Sequence, residues 1–137
     1  LIHGSIRRQL QMCIRDSFIA EPKTDLYNSN IIRSSIGCVF TNQIATGTSK
    51  EIISYLKKNK IKIYSTTLQN SNEYHREVYK DATAIVVGAE AKGLTEIWRE
   101  NSTRNINIPM LGQIDSMNVS VAAAIVIFEV KRQQKFI

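Results

Sequence analysis

The sequence predicts an α/β fold: a mainly parallel sheet flanked by helices. Three observations carry this. AIVVG at 84–88 reads as a central strand, apolar at successive positions because both its faces are covered in a parallel sheet. IKIYST at 61–66 alternates and then enters a polar loop, the pattern of a second strand. The stretch after Asn118 has helical spacing, with Val119, Ala123, Val126, Ile127 and Val130 on one face. Strands and helices that take turns along a chain build parallel sheets through crossover connections.

The 137 residues fit one domain with a sizeable core, and 43% hydrophobic with 22% charged residues is an ordinary globular composition. A formal net charge of +6 favours a polyanionic partner. Cys13 and Cys38 have neither metal-ligand spacing nor nearby histidines, so they read as reduced intracellular thiols, and no metal site is expected. His75 has no second ligand in view and reads as a surface residue. No signal peptide is visible in Leu1 to Gln11, and the apolar run from Val119 to Phe128 falls short of the about 20 residues that cross a bilayer. The expected location is cytoplasmic, with no membrane partner.

In chain order, residues 1–17 have no convincing period and form an irregular or atypical N-terminal segment. From residue 18 to 137 the chain reads as one domain. Phe18 to Ala20 is a short strand ended by Glu21-Pro22. Ile31, Ile32, Ser35 and Ile36 suggest a short helix, with Gly37 at its C-terminal end. Thr48 and Glu51 make a capping box ahead of a helix whose inner stripe is Ile52, Ile53 and Leu56, and Lys57, Lys58 and Lys60 sit at the negative end of its dipole. Glu73 to Lys80 is a short helix or loop. Thr95 can cap a helix through Trp98 and Arg99, and Ile106 and Ile108 give the last strand, stopped by Pro109.

The loop from Met110 to Asn118 joins that strand to the apolar helix. Asn118 and Ser120 are good helix caps, and the N–H groups of the first turn would be open to a ligand. Ligands of open α/β sheets lie beyond the carboxyl ends of the strands, where Thr66, Gly88 and the 108–118 loop all fall. No G-x-G-x-x-G follows an early strand, which disfavours a dinucleotide-binding oxidoreductase.

IPMLGQIDSMNVSVAAAIVIFE resembles the third motif of the SpoU family of RNA ribose 2′-O-methyltransferases, part of the SPOUT superfamily. AIVVGAEAKGL resembles its second motif, at the expected separation. On that resemblance, residues 18–137 are a SpoU-like methyltransferase domain with a truncated or altered beginning. The implied fold has a C-terminal deep trefoil knot, which spacing alone would not suggest. The implied activity is S-adenosylmethionine-dependent methylation of a ribose 2′-hydroxyl of tRNA or rRNA, by a homodimer. Carried over by motif position, Gly88, Ile108 and Met117 would bind the cofactor, and Asn118, Glu90 and Ser120 would surround the reaction centre; Thr66, by its strand end, and Met110, by its apolar side chain in the last loop, join the cofactor-binding set. Met117 stands where the family has leucine, a nearly volume-conserving change. The first motif is only partly matched: Gly4, Ile6 and Arg8 fit G-x-I-x-R, while QLQMCIRDS departs from the continuation. Arg8 is a candidate for the motif arginine, and a catalytically impaired RNA- or cofactor-binding module of the same fold is the alternative reading.

Overall fold

The computed structural model describes residues 16–23, 25–35, 43–88, 93–112 and 117–135. Its strands are β1 (Asp16–Ala20), β2 (Gln43–Gly47), β3 (Lys62–Thr66), β4 (Asn72–Glu73), β5 (Thr83–Val86) and β6 (Arg104–Asn107). Its helices are α1 (Ser29–Ser35), α2 (Ser49–Lys58), α3 (Glu96–Asn101) and α4 (Val119–Gln133).

Every described ladder is parallel, and the strands fall into two groups: β1 with β2, and a four-stranded sheet in the order β4, β6, β3, β5. Side chains of a strand alternate between faces, so the register divides the core. One face carries Ile63 of β3 and Ala84 and Val86 of β5, and these pack with Ile52, Ile53 and Leu56 of α2 and Trp98 of α3. The opposite face carries Tyr64, Ile85 and Ile106, which pack with Val126 and Val130 of α4. Helices on both faces are what a parallel sheet requires.

The capping box forms as expected: Thr48 Oγ1 accepts from Glu51 N, and Thr48 N donates to Glu51 Oε2. A second carboxylate, Glu21 Oε1, accepts from Ser49 N at the same helix start. Trp98 is fixed by its indole N–H, which donates to the buried Ser49 Oγ at 3.1 Å. Lys57 donates to Asn101 Oδ1 at 2.6 Å, so one of the lysines at the negative end of the dipole also joins α2 to α3.

The segment after Glu73 is a short helix and loop as expected, a single 3-10 turn (Tyr74–Arg76) followed by irregular chain, while the two-residue strand before it has no apolar pattern to reveal it. Two expectations need correction. Thr95 occupies the N-cap position of α3 without a side-chain cap hydrogen bond. The apolar β5 sits at an end of the four-stranded sheet and is half-buried, whereas the central β3 holds the fully buried Ser65. Gly37, Cys13 and Cys38 lie outside the described residues.

Residues 67–71 join β3 to β4, yet β6 lies between those two strands, so this strap spans β6. It is bonded at both ends: Thr67 N donates to Ile106 O (2.9 Å), and Asn107 Nδ2 donates to Ser71 Oγ (2.8 Å). Arg99 of α3 adds a hydrogen bond to Gln69 Oε1 (2.7 Å).

Candidate active site

Three strand ends meet where the sequence directs attention. Thr66 closes β3, and its Oγ1 donates to Val86 O at the end of β5 (3.0 Å). Thr67 N reaches Ile106 O of β6. Gly88 and Ile108, each two residues past those carbonyls, therefore belong to the same end of the sheet as Thr66. The Thr66 hydroxyl is used in tying the strands together.

The start of α4 adjoins this end. Asn118 is the N-cap, with φ −48° and ψ 126°, and its Oδ1 accepts from Ser120 N at 3.0 Å. Ala123 of α4 packs with Val87, the residue before Gly88. Ser120 lies one turn earlier on the same helical face, which brings the cap close to the loop that follows β5. Ser120 is 3% exposed, and its Oγ has no hydrogen-bond partner among the described residues. A buried hydroxyl without a partner is costly, so it marks a place where a polar group of a ligand would be accommodated.

Gly88 has a further role. A Cβ there would fall 2.3 Å from the Gly93 carbonyl carbon, so the loop after β5 folds back on its own start through backbone contact. Gly93 has φ +61°, a left-handed conformation that glycine adopts without strain.

Of the other predicted site residues, Ile108 and Met117 are half-buried and offer apolar surface, while Met110 is exposed. Glu90 and Arg8 lie outside the described residues. A nucleoside-bearing cofactor needs main-chain groups, an apolar slot and a few polar atoms, and this set fits. No group of three or more His, Cys, Asp or Glu side chains fit to hold a metal occurs among the described residues. Among the same residues no helix is long and apolar enough to cross a membrane.

Sequence reasoning missed the anchoring at the far end of α4. Gln133 Oε1 accepts from Tyr79 N (3.0 Å), and Gln133 Nε2 donates to Glu77 O (2.9 Å) and to Glu129 Oε1 (2.8 Å). No local signal reports the contacts with Tyr79 and Glu77, because those residues lie more than fifty positions earlier. Arg132 pairs with both Glu129 oxygens at 2.8 Å and holds that carboxyl well below its ordinary range, at about 2. Burial pushes the Tyr79 phenol upward, and its OH donates to Tyr74 O at 2.7 Å.

The sequence profile of the SpoU rRNA Methylase family matches residues 4–128. The chain belongs to that family. Among SpoU relatives, it is 29% identical over 113 residues to the 23S rRNA (guanosine(2553)-2′-O)-methyltransferase RlmP of Bacillus subtilis, covering 82% of this chain and 46% of the relative. It is 41% identical over 85 residues to the tRNA (guanosine(18)-2′-O)-methyltransferase of Thermus thermophilus, covering 61% of this chain and 44% of that protein. An AdoMet-bound rRNA methyltransferase from Sinorhizobium meliloti superposes with a TM-score of 0.88 at 25% identity, over 94% of this chain and 50% of that one. The chain thus spans about half the length of these SpoU proteins.

Proposed function

We propose that this chain is the catalytic part of an S-adenosylmethionine-dependent methyltransferase acting on a ribose 2′-hydroxyl of tRNA or rRNA. The observation that carries the proposal is the meeting of the β3, β5 and β6 ends with the capped start of α4 in a SpoU family chain. Relatives named as rRNA and tRNA 2′-O-methyltransferases support the substrate class.

Thr66, Gly88, Ile108, Met110 and Met117 would hold the cofactor, mainly through main chain and apolar contact. When bound, S-adenosylmethionine supplies a methyl group activated by a sulfonium. A ribose 2′-hydroxyl is a poor nucleophile at neutral pH, so neighbouring groups must orient it and take up its proton as the new bond forms. Asn118 and Ser120 are the described polar groups at that point, and Glu90 is the second-motif carboxylate that the family resemblance assigns to the reaction centre. Arg8 is the candidate for the first-motif arginine. An arginine stays charged below a pH of about 12, so it would act chiefly by holding the hydroxyl and a phosphate in place.

The reading includes a deep trefoil knot, supported by the strap of residues 67–71 across β6. It includes a homodimer, supported by a second apolar face of α4 where Val121 and Phe128 are about half exposed. It also includes a cytoplasmic location and no metal.

The test is transfer of labelled methyl from S-adenosylmethionine to bulk tRNA and rRNA, followed by digestion to nucleosides. Label in 2′-O-methylribose supports the proposal. Label on a base only, or none together with no cofactor binding, overturns it. Cofactor binding without transfer favours the impaired module, which the departure of QLQMCIRDS from the first motif makes the second reading.

A further inference from the structure

Apolar packing is non-directional, so the small side chains that bury α4, Ala123, Val126 and Val130, leave its position along its own axis weakly defined. Directional bonds fix that position, and among the described residues the side-chain bonds from α4 to the β4–β5 segment lie at its last turn. The Gln133 amide pairs with Tyr79 N and Glu77 O as a neighbouring strand would, satisfying two main-chain groups of the segment that leads from β4 to β5. Gln134 Nε2 adds a bond to Asp81 O at 3.0 Å. The segment is in turn held to the sheet, since Tyr64 OH donates to Val78 O (3.2 Å) and Tyr79, fully buried, meets the Tyr64 ring edge-on at 4.8 Å. A 15-residue helix is a rod of about 22 Å, so fixing one end fixes the other.

We infer that Gln133 is a positioning residue: its amide clasp on residues 77–79 sets the axial register of α4 and thereby holds the Asn118–Ser120 turn in place. The functional consequence rests on the reading above, in which that turn borders the cofactor.

The experiment uses the full chain with Gln133→Leu, which keeps the bulk and removes both pairings. The control is Ile53→Val, in the core on the opposite face of the sheet. The first readout, without any ligand, is hydrogen exchange of the α4 amides from Ala122 to Ile125; Ala122 N donates to Asn118 O at 3.0 Å. Q133L is expected to speed exchange there by about tenfold while I53V leaves it near wild type. The second readout is S-adenosylmethionine affinity by calorimetry, expected to weaken about tenfold in Q133L alone. Unchanged exchange in Q133L, or equal acceleration in I53V, overturns the inference. If the wild-type chain binds no cofactor, the functional proposal fails while the exchange result still decides the clasp. Should Q133L not fold, Gln133→Asn, whose shorter amide cannot span both partners, carries the same two readouts.

Discussion

Gly88 meets Gly93 backbone to backbone: a Cβ on Gly88 would sit 2.3 Å from the Gly93 carbonyl carbon and 2.5 Å from the Leu94 nitrogen. No side chain can swing aside there, so Gly88→Ala must displace main chain at the end of β5. It is expected to cost about 1–3 kcal/mol, as overpacking does. Gly93→Ala meets open space but inherits φ +61°, for a cost of about 1–2 kcal/mol from conformation alone. Thermal melts of both variants check the magnitudes. Cofactor titration then separates the causes: G88A is expected to weaken binding more, because it moves the strand end itself.

Asn118 serves the helix and, on the proposed function, the chemistry. Asn118→Ser retains a side-chain oxygen for Ser120 N and is expected to stay within a few tenths of a kcal/mol of wild type, whereas Asn118→Ala loses about 1 kcal/mol with the cap. Methyl transfer should fall by about 10²-fold or more in both, as when one positioned polar group is removed from a reaction centre. Activity that tracks stability across the two variants would assign Asn118 to capping only.

Acid stability has a defined direction. The Glu129 carboxyl is held at about 2 by Arg132, below the 4.5 of an ordinary glutamate. A group whose folded pKa is depressed contributes stability that is fully present above the unfolded value and is lost as pH falls toward the folded one. That window is 4.5 down to about 2. Glu51, lowered by hydrogen bonds from Thr48, acts in the same direction. Urea midpoints from pH 7 to about 2.5 should therefore fall less steeply for Glu129→Gln than for wild type.

The chain has one tryptophan, and it is buried with its N–H on Ser49. Ser49→Ala leaves that N–H unpaired in the core, at an expected cost of about 1–3 kcal/mol. Denaturant curves followed by Trp98 emission should shift to lower midpoint, with the native spectrum still blue-shifted.

Features set by short-range chemistry were legible in the sequence. The Thr48–Glu51 box, the Ile52, Ile53 and Leu56 stripe and the Asn118 cap each depend on residues within about one turn, and all formed. What was not legible depends on distant partners. The strap across β6 is defined by strand order, to which neither β3 nor β4 gives a local clue. Gln133 looks like one more polar residue at a helix end until Glu77 and Tyr79 are brought to it. The β5 strand shows the limit of the apolar-run argument, since burial on both faces does not make a strand interior to the four-stranded sheet. At the candidate site, the hydrogen bond by which the Thr66 hydroxyl ties β3 to β5 joins residues twenty apart and has no local signature. That Ser120 Oγ has no hydrogen-bond partner among the described residues could be seen only once the helix was packed.

The proposed cofactor site lies beyond the ends of β3, β5 and β6. The most direct measurement is an amide chemical-shift titration of the isotope-labelled chain with S-adenosylmethionine. Saturable shifts concentrated at Thr66, Gly88, Ile108, Met117 and Ser120 are the predicted result. Shifts confined instead to the open groove of about 770 Å³ between β1, β2 and α2, lined by Phe18, Ile44 and Tyr55, or no shifts at millimolar cofactor, would contradict it.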